Sequence, residues 1–362
     1  MKARLILQDG RVFEGQHIGA TGTAFGEVVF NTAMSGYQEA LTDPSYYYHL
    51  IAMTYPQIGN VGINSKNLES KPVCASGLII REYSPIVSNW QATLTLDEFL
   101  IKFNIVGISE IDTRALTRHI RDKGTQMGMI TTETGTIEEM MAKLNAAPKL
   151  IGTDLVNIIG SEKTFDYVSP SLVPPSTKKV ALLNFGAKYS IAQELSYRGC
   201  AVRIFPATTS AKDILAYEPN GIFLANGPGD PEPLTYAVNT IKDLLGKKPM
   251  FGLCLGHQLL ALALGAKITK LKFGHHGSSH SVKNLKTNRV EMTAQNHGFV
   301  IDETSLPNNV TITHLNLNDN TIEGIACENL SAFSVQYHIG SAPGPGPHDS
   351  EYLFDQFIQQ ME

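Results

Sequence analysis

Hydrophobic and polar positions follow one pattern in the first part of the chain and another in the second. Near the N-terminus, two short apolar stretches flank Asp9 and Gly10, a residue pair that favours a β-hairpin turn. Further strand-like segments follow, and two later segments have helical spacing with charged outer faces, "TLDEFLIKFN" and "TRALTRHIRDKG". We therefore predict a mixed α/β N-terminal domain over residues 1–150.

From Val180 onward, apolar strand-like segments alternate with amphipathic helical ones. The strand-like segments are "VALLNF", "AVRIFP", "GIFLAN" and "PMFGL". This alternation is typical of a doubly wound, mostly parallel sheet, which binds ligands at the carboxyl ends of its strands. The stretch between the two patterns is rich in Ser, Pro and Thr. It predicts a linker over residues 151–178, followed by a second α/β domain over 179–362.

Length and composition narrow the class of protein. A chain of 362 residues is long enough for two domains, and 43% hydrophobic with 17% charged residues is ordinary for a soluble globular protein. The net charge of -5 offers no basic surface for nucleic acid. No apolar run is long enough to span a membrane, and the first residues lack the features of a signal peptide. We therefore expect a cytoplasmic protein that binds neither nucleic acid nor membrane.

One of the four cysteines has the context of a catalytic nucleophile. Cys254 lies between an apolar strand and a helix and is flanked by Gly252 and Gly256, the G-x-C-x-G arrangement of a nucleophile elbow. The helix N-terminus beside the sulfur favours the thiolate, and its N–H groups can stabilise an oxyanion. The other cysteines have no such context and no C-x-x-C spacing, so we interpret them as structural: Cys74, Cys200 and Cys327.

Three polar stretches allow more than one interpretation. In "LANGPGDPEPL", Gly227 and Gly229 let the backbone approach a ligand, but the stretch is equally well a plain turn. The stretch "TAQNHGFVID" holds Asn296, Gly298 and Phe299 and is also compatible with a plain turn between strands. "KFGHHGSSH" holds three histidines but no carboxylate or cysteine at ligand spacing, so we predict no metal site there.

Taken together, these motifs resemble a known family. The stretches "FGAK", "NGPGDP", "FGLCLGHQLLALALGAK", "KFGHHGSSH" and "TAQNHGF" follow the order of the class I (triad-type) glutamine amidotransferase domain in the small chains of carbamoyl-phosphate synthetase. "GEVVFNTAMSGYQEALTDPSY", "YPQIGNVGIN" and "EIDTRALTR" resemble that family's N-terminal stretches. The resemblance implies that the chain hydrolyses L-glutamine and passes ammonia to a large chain. That partner would use ATP, Mg and bicarbonate to make carbamoyl phosphate for arginine and pyrimidine synthesis, while this chain would hold no cofactor.

The resemblance also implies roles for individual residues. Cys254 would attack the glutamine side-chain amide to form a thioester, and His338 would serve as general base and acid. Lys188 of "FGAK" is a weaker candidate for the same pocket. The family's glutamine contacts correspond to Ser45, Gly227, Gly229, Leu255, Gln258, Asn296, Gly298 and Phe299. Among these, Ser45 would bring the N-terminal domain into the site.

The sequence departs from the family at the third member of the triad. The family pattern is His-Pro-Glu, whereas this chain has His338-Ile339-Gly340, and the following stretch is longer. One interpretation is a weakened but working Cys-His dyad. A second is a catalytically impaired, mainly structural small chain that supports ammonia-dependent synthesis. The third is that the stretch is a sequence variant, or that a nearby acid, Asp349 or Glu351, takes the place of the glutamate. A rival enzyme class, an α/β-hydrolase, leaves residues 1–150 unexplained.

Overall fold

The computed structural model describes residues 1–70, 73–168, 178–339 and 347–361. Its contacts divide the chain into two compact units. The first contains Met1–Ile151 together with Lys272–Gly277, and the second begins at Gly152 and contains the remaining described residues. Within the described ranges, no helix is both long and apolar enough to cross a membrane.

The first unit is built around a closed β-barrel. Its strands and helices, in chain order, are β1 (Lys2–Leu7), β2 (Val12–Gly19), β3 (Thr23–Asn31), α1 (Tyr37–Thr42), β4 (His49–Met53), β5 (Gln57–Ile58), β6 (Gly77–Ile79), β7 (Glu82–Tyr83), α2 (Leu96–Lys102), β8 (Val106–Ser109), α3 (Thr113–Lys123), β9 (Gln126–Thr131) and α4 (Ile137–Ala146). The barrel order is β1-β2-β8-β6-β4-β3-β9, and β5 pairs with β7 separately. The predicted hairpin is confirmed, since Leu5 pairs with Phe13 and Gly10 has φ 87° in the turn.

Consecutive residues of the barrel strands point into two different hydrophobic cores. On β4, Leu50 packs with the core that includes Leu116 of α3, while Ile51 packs with the core that includes Phe99 of α2. A strand exposes alternate residues to opposite faces, so both faces of these strands must be apolar. The mixed α/β character predicted for this half is therefore confirmed, although closure into a barrel was not predicted.

The second unit contains one sheet with helices on both faces. Its strands and helices are α5 (Val156–Ile159), β10 (Phe165–Asp166), β11 (Lys179–Asn184), α6 (Tyr189–Tyr197), β12 (Ala201–Pro206), α7 (Ala211–Ala216), β13 (Gly221–Leu224), α8 (Thr235–Leu244), β14 (Met250–Leu253), α9 (Leu255–Leu264), β15 (Ile268–Asn284), β16 (Val290–Ile301), β17 (Thr311–Asn316), β18 (Ile322–Cys327), β19 (Ala332–Val335) and α10 (Tyr352–Gln359). Residues 272–277 of β15 belong to the first unit. The sheet order is β10-β12-β11-β13-β14-β19-β18-β17-β15-β16.

The centre of this sheet has the predicted doubly wound topology. Strands β12, β11, β13, β14 and β19 are parallel to one another. Helices α6 and α10 contribute to the core on one face, and α7, α8 and α9 contribute to the core on the other. The fold class is thus confirmed.

Beyond β19 the sheet continues with antiparallel strands that were not predicted. The stretch "TAQNHGFVID", for which a plain turn was one interpretation, lies largely in β16, so that interpretation was wrong. Polar residues occupy this strand because they bond to one another: the Gln295 amide and the His297 imidazole, for example, lie 2.8 Å apart. Such pairing hides the apolar alternation that usually marks a strand.

Part of the predicted linker is ordered structure of the second unit. Val156 in α5 is buried, and Phe165 of β10 pairs with Ile204 of β12. The Gly152 N–H donates to the Asp230 carboxylate at 3.1 Å. Residues 169–177 of the predicted linker lie outside the described residues.

Candidate functional site

The sharp turn predicted around Cys254 is present in the structure. Cys254 alone separates β14 from α9, and its backbone has φ 54° and ψ −108°. A positive φ is unusual for a residue with a side chain and costs roughly 1–3 kcal/mol. A Cβ on Gly256 would lie 2.2 Å from the carbonyl oxygen of Leu224, and one on Gly252 would lie 2.7 Å from that of Gly256. Both flanking glycines are therefore required by the turn.

Hydrogen bonds hold the turn between neighbouring strands. The Cys254 N–H donates to the carbonyl oxygen of Val335 at 2.9 Å, and the Gly256 N–H donates to that of Ala225 at 3.0 Å. These bonds leave the sulfur at the first turn of α9, where a helix has N–H groups without partners inside the helix. That position suits a thiolate and the oxyanion formed when it attacks a carbonyl.

The sheet topology brings His338 and Cys254 to the same edge. Strand β19, which precedes His338, is the parallel neighbour of β14, with Leu253 paired to Val335. Strand β16 contacts both residues. The His338 N–H donates to the carbonyl oxygen of Ala294 at 2.9 Å, and the carbonyl oxygen of Asn296 lies 3.6 Å from the Cys254 sulfur. A three-residue segment of one strand thus contacts the backbone of the candidate base and the sulfur of the candidate nucleophile.

Burial and charge keep the imidazole of His338 neutral. His338 is only 5% exposed, and burial lowers its pKa well below the ordinary value, with a further contribution from the positive charge of Lys188. A neutral imidazole can accept a proton from a thiol. Burial has the opposite effect on thiols, raising the pKa of Cys74 and of Cys200 to about 11 and also raising that of Cys327. The raised pKa disfavours the thiolate, the reactive form, at these three cysteines.

The loop after β13 approaches the same turn. A Cβ on Gly227 would lie 2.2 Å from the carbonyl oxygen of Phe185 and 2.8 Å from the Leu255 side chain. Gly229 has φ 85°, which favours glycine. The Lys188 N–H donates to the side-chain oxygen of Asn226 in this loop at 3.1 Å. Sterics alone therefore explain both glycines, and the loop lies where it can also offer backbone N–H groups.

Gln258 and Phe299 are in direct contact. The Gln258 side-chain nitrogen donates to the carbonyl oxygen of Phe299 at 3.0 Å and to the Gln336 side-chain oxygen at 3.1 Å. Gly298, beside Phe299, has open space where a Cβ would be. The structure thus places these residues with Asn296 on β16 and α9, next to the Cys254 turn.

Two predicted site residues lie outside the described residues of the second unit. Ser45 belongs to the first unit, in a buried 3-10 helix (Pro44–Tyr46), where its N–H donates to the Asp43 carboxylate at 2.9 Å. Its role in a glutamine site stays a prediction. Gly340 lies outside the described residues.

The two acids considered as replacements for the missing glutamate contact other groups. The Asp349 carboxylate accepts from the Met292 N–H at 2.8 Å, and the Glu351 carboxylate lies 2.5 Å from the His348 ring nitrogen.

The sequence did not indicate that β16 contributes to the site. Its contacts with Cys254 and His338 come from backbone carbonyls, which leave no signal in residue type.

Comparisons with known proteins cover both units. The family model described as carbamoyl-phosphate synthase small chain, CPSase domain, matches residues 5–130, and the one described as glutamine amidotransferase class-I matches residues 181–360. A carbamoyl phosphate synthase small chain of Syntrophotalea carbinolica is 49% identical, over 100% of this chain and 98% of that protein. The proteins of the same name from Akkermansia muciniphila and Chlorobaculum tepidum are each 47% identical, over 100% and 99% of this chain and 98% of each relative.

Proposed function

Because the chain belongs to the family of carbamoyl phosphate synthase small chains with a class I glutamine amidotransferase domain, we propose that it hydrolyses L-glutamine through a thioester on Cys254. The ammonia would pass to a large synthetase chain, which makes carbamoyl phosphate from bicarbonate with ATP and Mg. The observation that carries this proposal is the strained turn at Cys254, which shares the 294–296 segment of β16 with His338.

The first half of the reaction forms the thioester. Neutral His338 takes the proton of the Cys254 thiol, and the thiolate attacks the side-chain carbonyl carbon of glutamine. The oxyanion of the tetrahedral intermediate accepts hydrogen bonds from the N–H groups of Leu255 and Gly229. Imidazolium His338 then protonates the nitrogen, the C–N bond breaks, and ammonia leaves. The geometry of the α9 N-terminus and the lowered pKa of His338 support these roles.

The second half restores the enzyme. Neutral His338 removes a proton from water, and the resulting hydroxide attacks the thioester carbonyl carbon. The C–S bond breaks, glutamate leaves, and the sulfur takes back the proton from His338. Glutamine would be held by Gln258, Asn296, Gly298 and Phe299, with Ser45 as a contact from the first unit.

The second candidate function is a small chain with little glutaminase activity. The observation that favours it is Gly340, which offers no side chain where the family pattern has glutamate. Loss of the group that orients the base lowers turnover even when nucleophile and base remain. In that case the chain would mainly support synthesis from free ammonia by its large-chain partner.

One experiment separates the two candidates. The chain is mixed with its cognate large chain, and carbamoyl phosphate is measured with glutamine and, separately, with ammonium as nitrogen source. We expect Cys254→Ser to lower glutamine-dependent synthesis at least ~1000-fold while ammonia-dependent synthesis persists. Cys200→Ser, which changes a buried cysteine of the same unit, should leave both activities intact. Full glutamine activity in Cys254→Ser would disprove the mechanism, and a wild type active only with ammonium would favour the second candidate.

A further inference from the structure

A buried carboxylate that has no part in the proposed reaction accepts an unusual number of hydrogen bonds. Glu291 on β16 is 5% exposed. It accepts from the hydroxyls of Ser350 at 2.5 Å, Tyr352 at 3.0 Å and Tyr337 at 3.4 Å, and it lies 3.4 Å from the Asn284 side-chain nitrogen. Burying a carboxylate is costly unless hydrogen bonds satisfy it, and these four polar groups compensate for the burial of Glu291.

The donors of this cluster come from both ends of one connection. Tyr337 immediately precedes His338, whereas Ser350 and Tyr352 lie where the chain enters α10. Glu291 therefore contacts the chain on both sides of residues 340–346. Next to it, the Met292 N–H donates to the Asp349 carboxylate at 2.8 Å and adds a second bond between β16 and the α10 side.

The donors keep their protons at neutral pH. Burial and the neighbouring Glu291 carboxylate raise the pKa of both Tyr337 and Tyr352. The His314 ring, 3.4 Å from the Tyr352 hydroxyl, is also neutral there, since burial lowers its pKa to about 4. The cluster therefore stays intact in the range where glutamine would be hydrolysed.

We propose that Glu291 is a positioning residue for His338, an inference that rests on the proposed function. Two adjacent residues are fixed to the same strand: the His338 backbone through Ala294, and the Tyr337 hydroxyl through Glu291. Because Gly340 has no side chain to orient the imidazole, the placement of His338 depends on how firmly its backbone is held. Small displacements of a catalytic group lower the rate of reaction far more than the affinity for substrate.

The test replaces the carboxylate with an amide of the same shape. In the complex with the cognate large chain, we expect Glu291→Gln to lower kcat for glutamine hydrolysis about tenfold with KM changed less than about threefold. Ammonia-dependent synthesis should not change. The matched control is Asp355→Asn, which removes a different anchor of α10, the 2.8 Å bond from the Arg198 Nε. We expect the control to retain kcat within about twofold.

A second variant and a second measurement keep the test decisive. Tyr337→Phe removes one donor without changing the packing of the ring, and we expect it to lower kcat about threefold. Hydrogen exchange of the His338 N–H should be about tenfold faster in Glu291→Gln than in Asp355→Asn.

The exchange measurement does not depend on glutaminase activity. It therefore tests the positioning role even if the wild type hydrolyses no glutamine, a result that would contradict the proposed function instead. Normal kcat in both Glu291→Gln and Tyr337→Phe, or unchanged exchange at His338, would overturn the inference. If Glu291→Gln does not fold, Tyr337→Phe decides by the same two measurements.

Discussion

The candidate nucleophile and the candidate base follow two neighbouring parallel strands, but the chain places them by different means. Cys254 alone connects β14 to α9, and its position follows from one strained residue between two obligatory glycines. His338 belongs to a longer connection, residues 336–351, between β19 and α10. It is fixed by bonds to β16, a strand distant in sequence. A strained local turn, held by hydrogen bonds to neighbouring strands, therefore places the nucleophile, whereas contacts from a distant strand hold the base.

A methyl group in the Cys254 turn should have the largest effect. In Gly256→Ala the new Cβ would lie 2.2 Å from the carbonyl oxygen of Leu224, and a backbone atom cannot move aside cheaply. We expect the free energy of unfolding to fall by about 1–3 kcal/mol. Glutamine hydrolysis should fall at least ~100-fold, because α9 and its N–H groups must shift. Denaturant unfolding and steady-state kinetics measure the two effects.

The control for this substitution is Gly135→Ala in the first unit. Its new Cβ would meet only the ends of two flexible side chains, Glu139 at 3.0 Å and Met140 at 3.5 Å. Both stability and activity should then stay close to those of the wild type. Equal activities in Gly256→Ala and Gly135→Ala would show that the Cys254 turn accepts a methyl group at Gly256. The position of the nucleophile would then not depend on that glycine.

Restoring the glutamate of the family pattern at position 340 tests how the candidate base, His338, is oriented. We expect Gly340→Glu, made in the natural connection and in one shortened by two residues, to raise glutaminase kcat about tenfold in at least one variant. A carboxylate near the imidazole would orient it and stabilise its charged form. The measurement is glutamate release at saturating glutamine, with Gly340→Gln as the uncharged control. Unchanged kcat in both lengths would mean that the missing acid does not limit turnover.

Much of the fold could be predicted because its signals are local. The Asp9-Gly10 turn and the strand and helix alternation after Val180 each lie within a few residues and appear as predicted. Barrel closure depends on pairings such as Arg4 with Thr131, whose partners are far apart in sequence. The antiparallel extension was missed for another reason, since hydrogen-bonded polar residues such as Gln295 and His297 replace the apolar alternation of an ordinary strand.

In the candidate site too, features with a local signal could be predicted and features that depend on distant segments could not. The Cys254 turn could be predicted because glycine spacing, strand and helix are adjacent in the sequence. The anchoring of His338 by Ala294 and Glu291 could not, since one contact uses a backbone carbonyl and the other joins Glu291 to residues on both sides of residues 340–346. Residue type predicts chemistry where the geometry is local, but not where distant segments supply it.

The smallest expected effect concerns the charge that acts on His338. Lys188 disfavours the imidazolium and so adds to the lowering of the His338 pKa caused mainly by burial. Removing the positive charge in Lys188→Met should raise that pKa toward the ordinary value of about 6.5. Because the proposed reaction starts from neutral imidazole, the acid limb of the kcat/KM profile should move to higher pH by up to about one unit.

The direction in which the midpoint of the acid limb moves tests whether Lys188 lowers the His338 pKa. Lys188 is also a candidate for the glutamine pocket, so its substitution can lower the maximum of kcat/KM through weaker substrate binding. In the proposed mechanism the midpoint of the acid limb depends on the His338 pKa instead. Lys212→Met, which removes an exposed charge on α7, should lower the net charge equally and leave the midpoint in place. A midpoint that moves to lower pH in Lys188→Met would contradict the effect assigned to Lys188, and one that stays fixed would show that burial alone lowers the His338 pKa. His338 would then depend entirely on the contacts that bury it, among them those of Ala294 and Glu291 on β16.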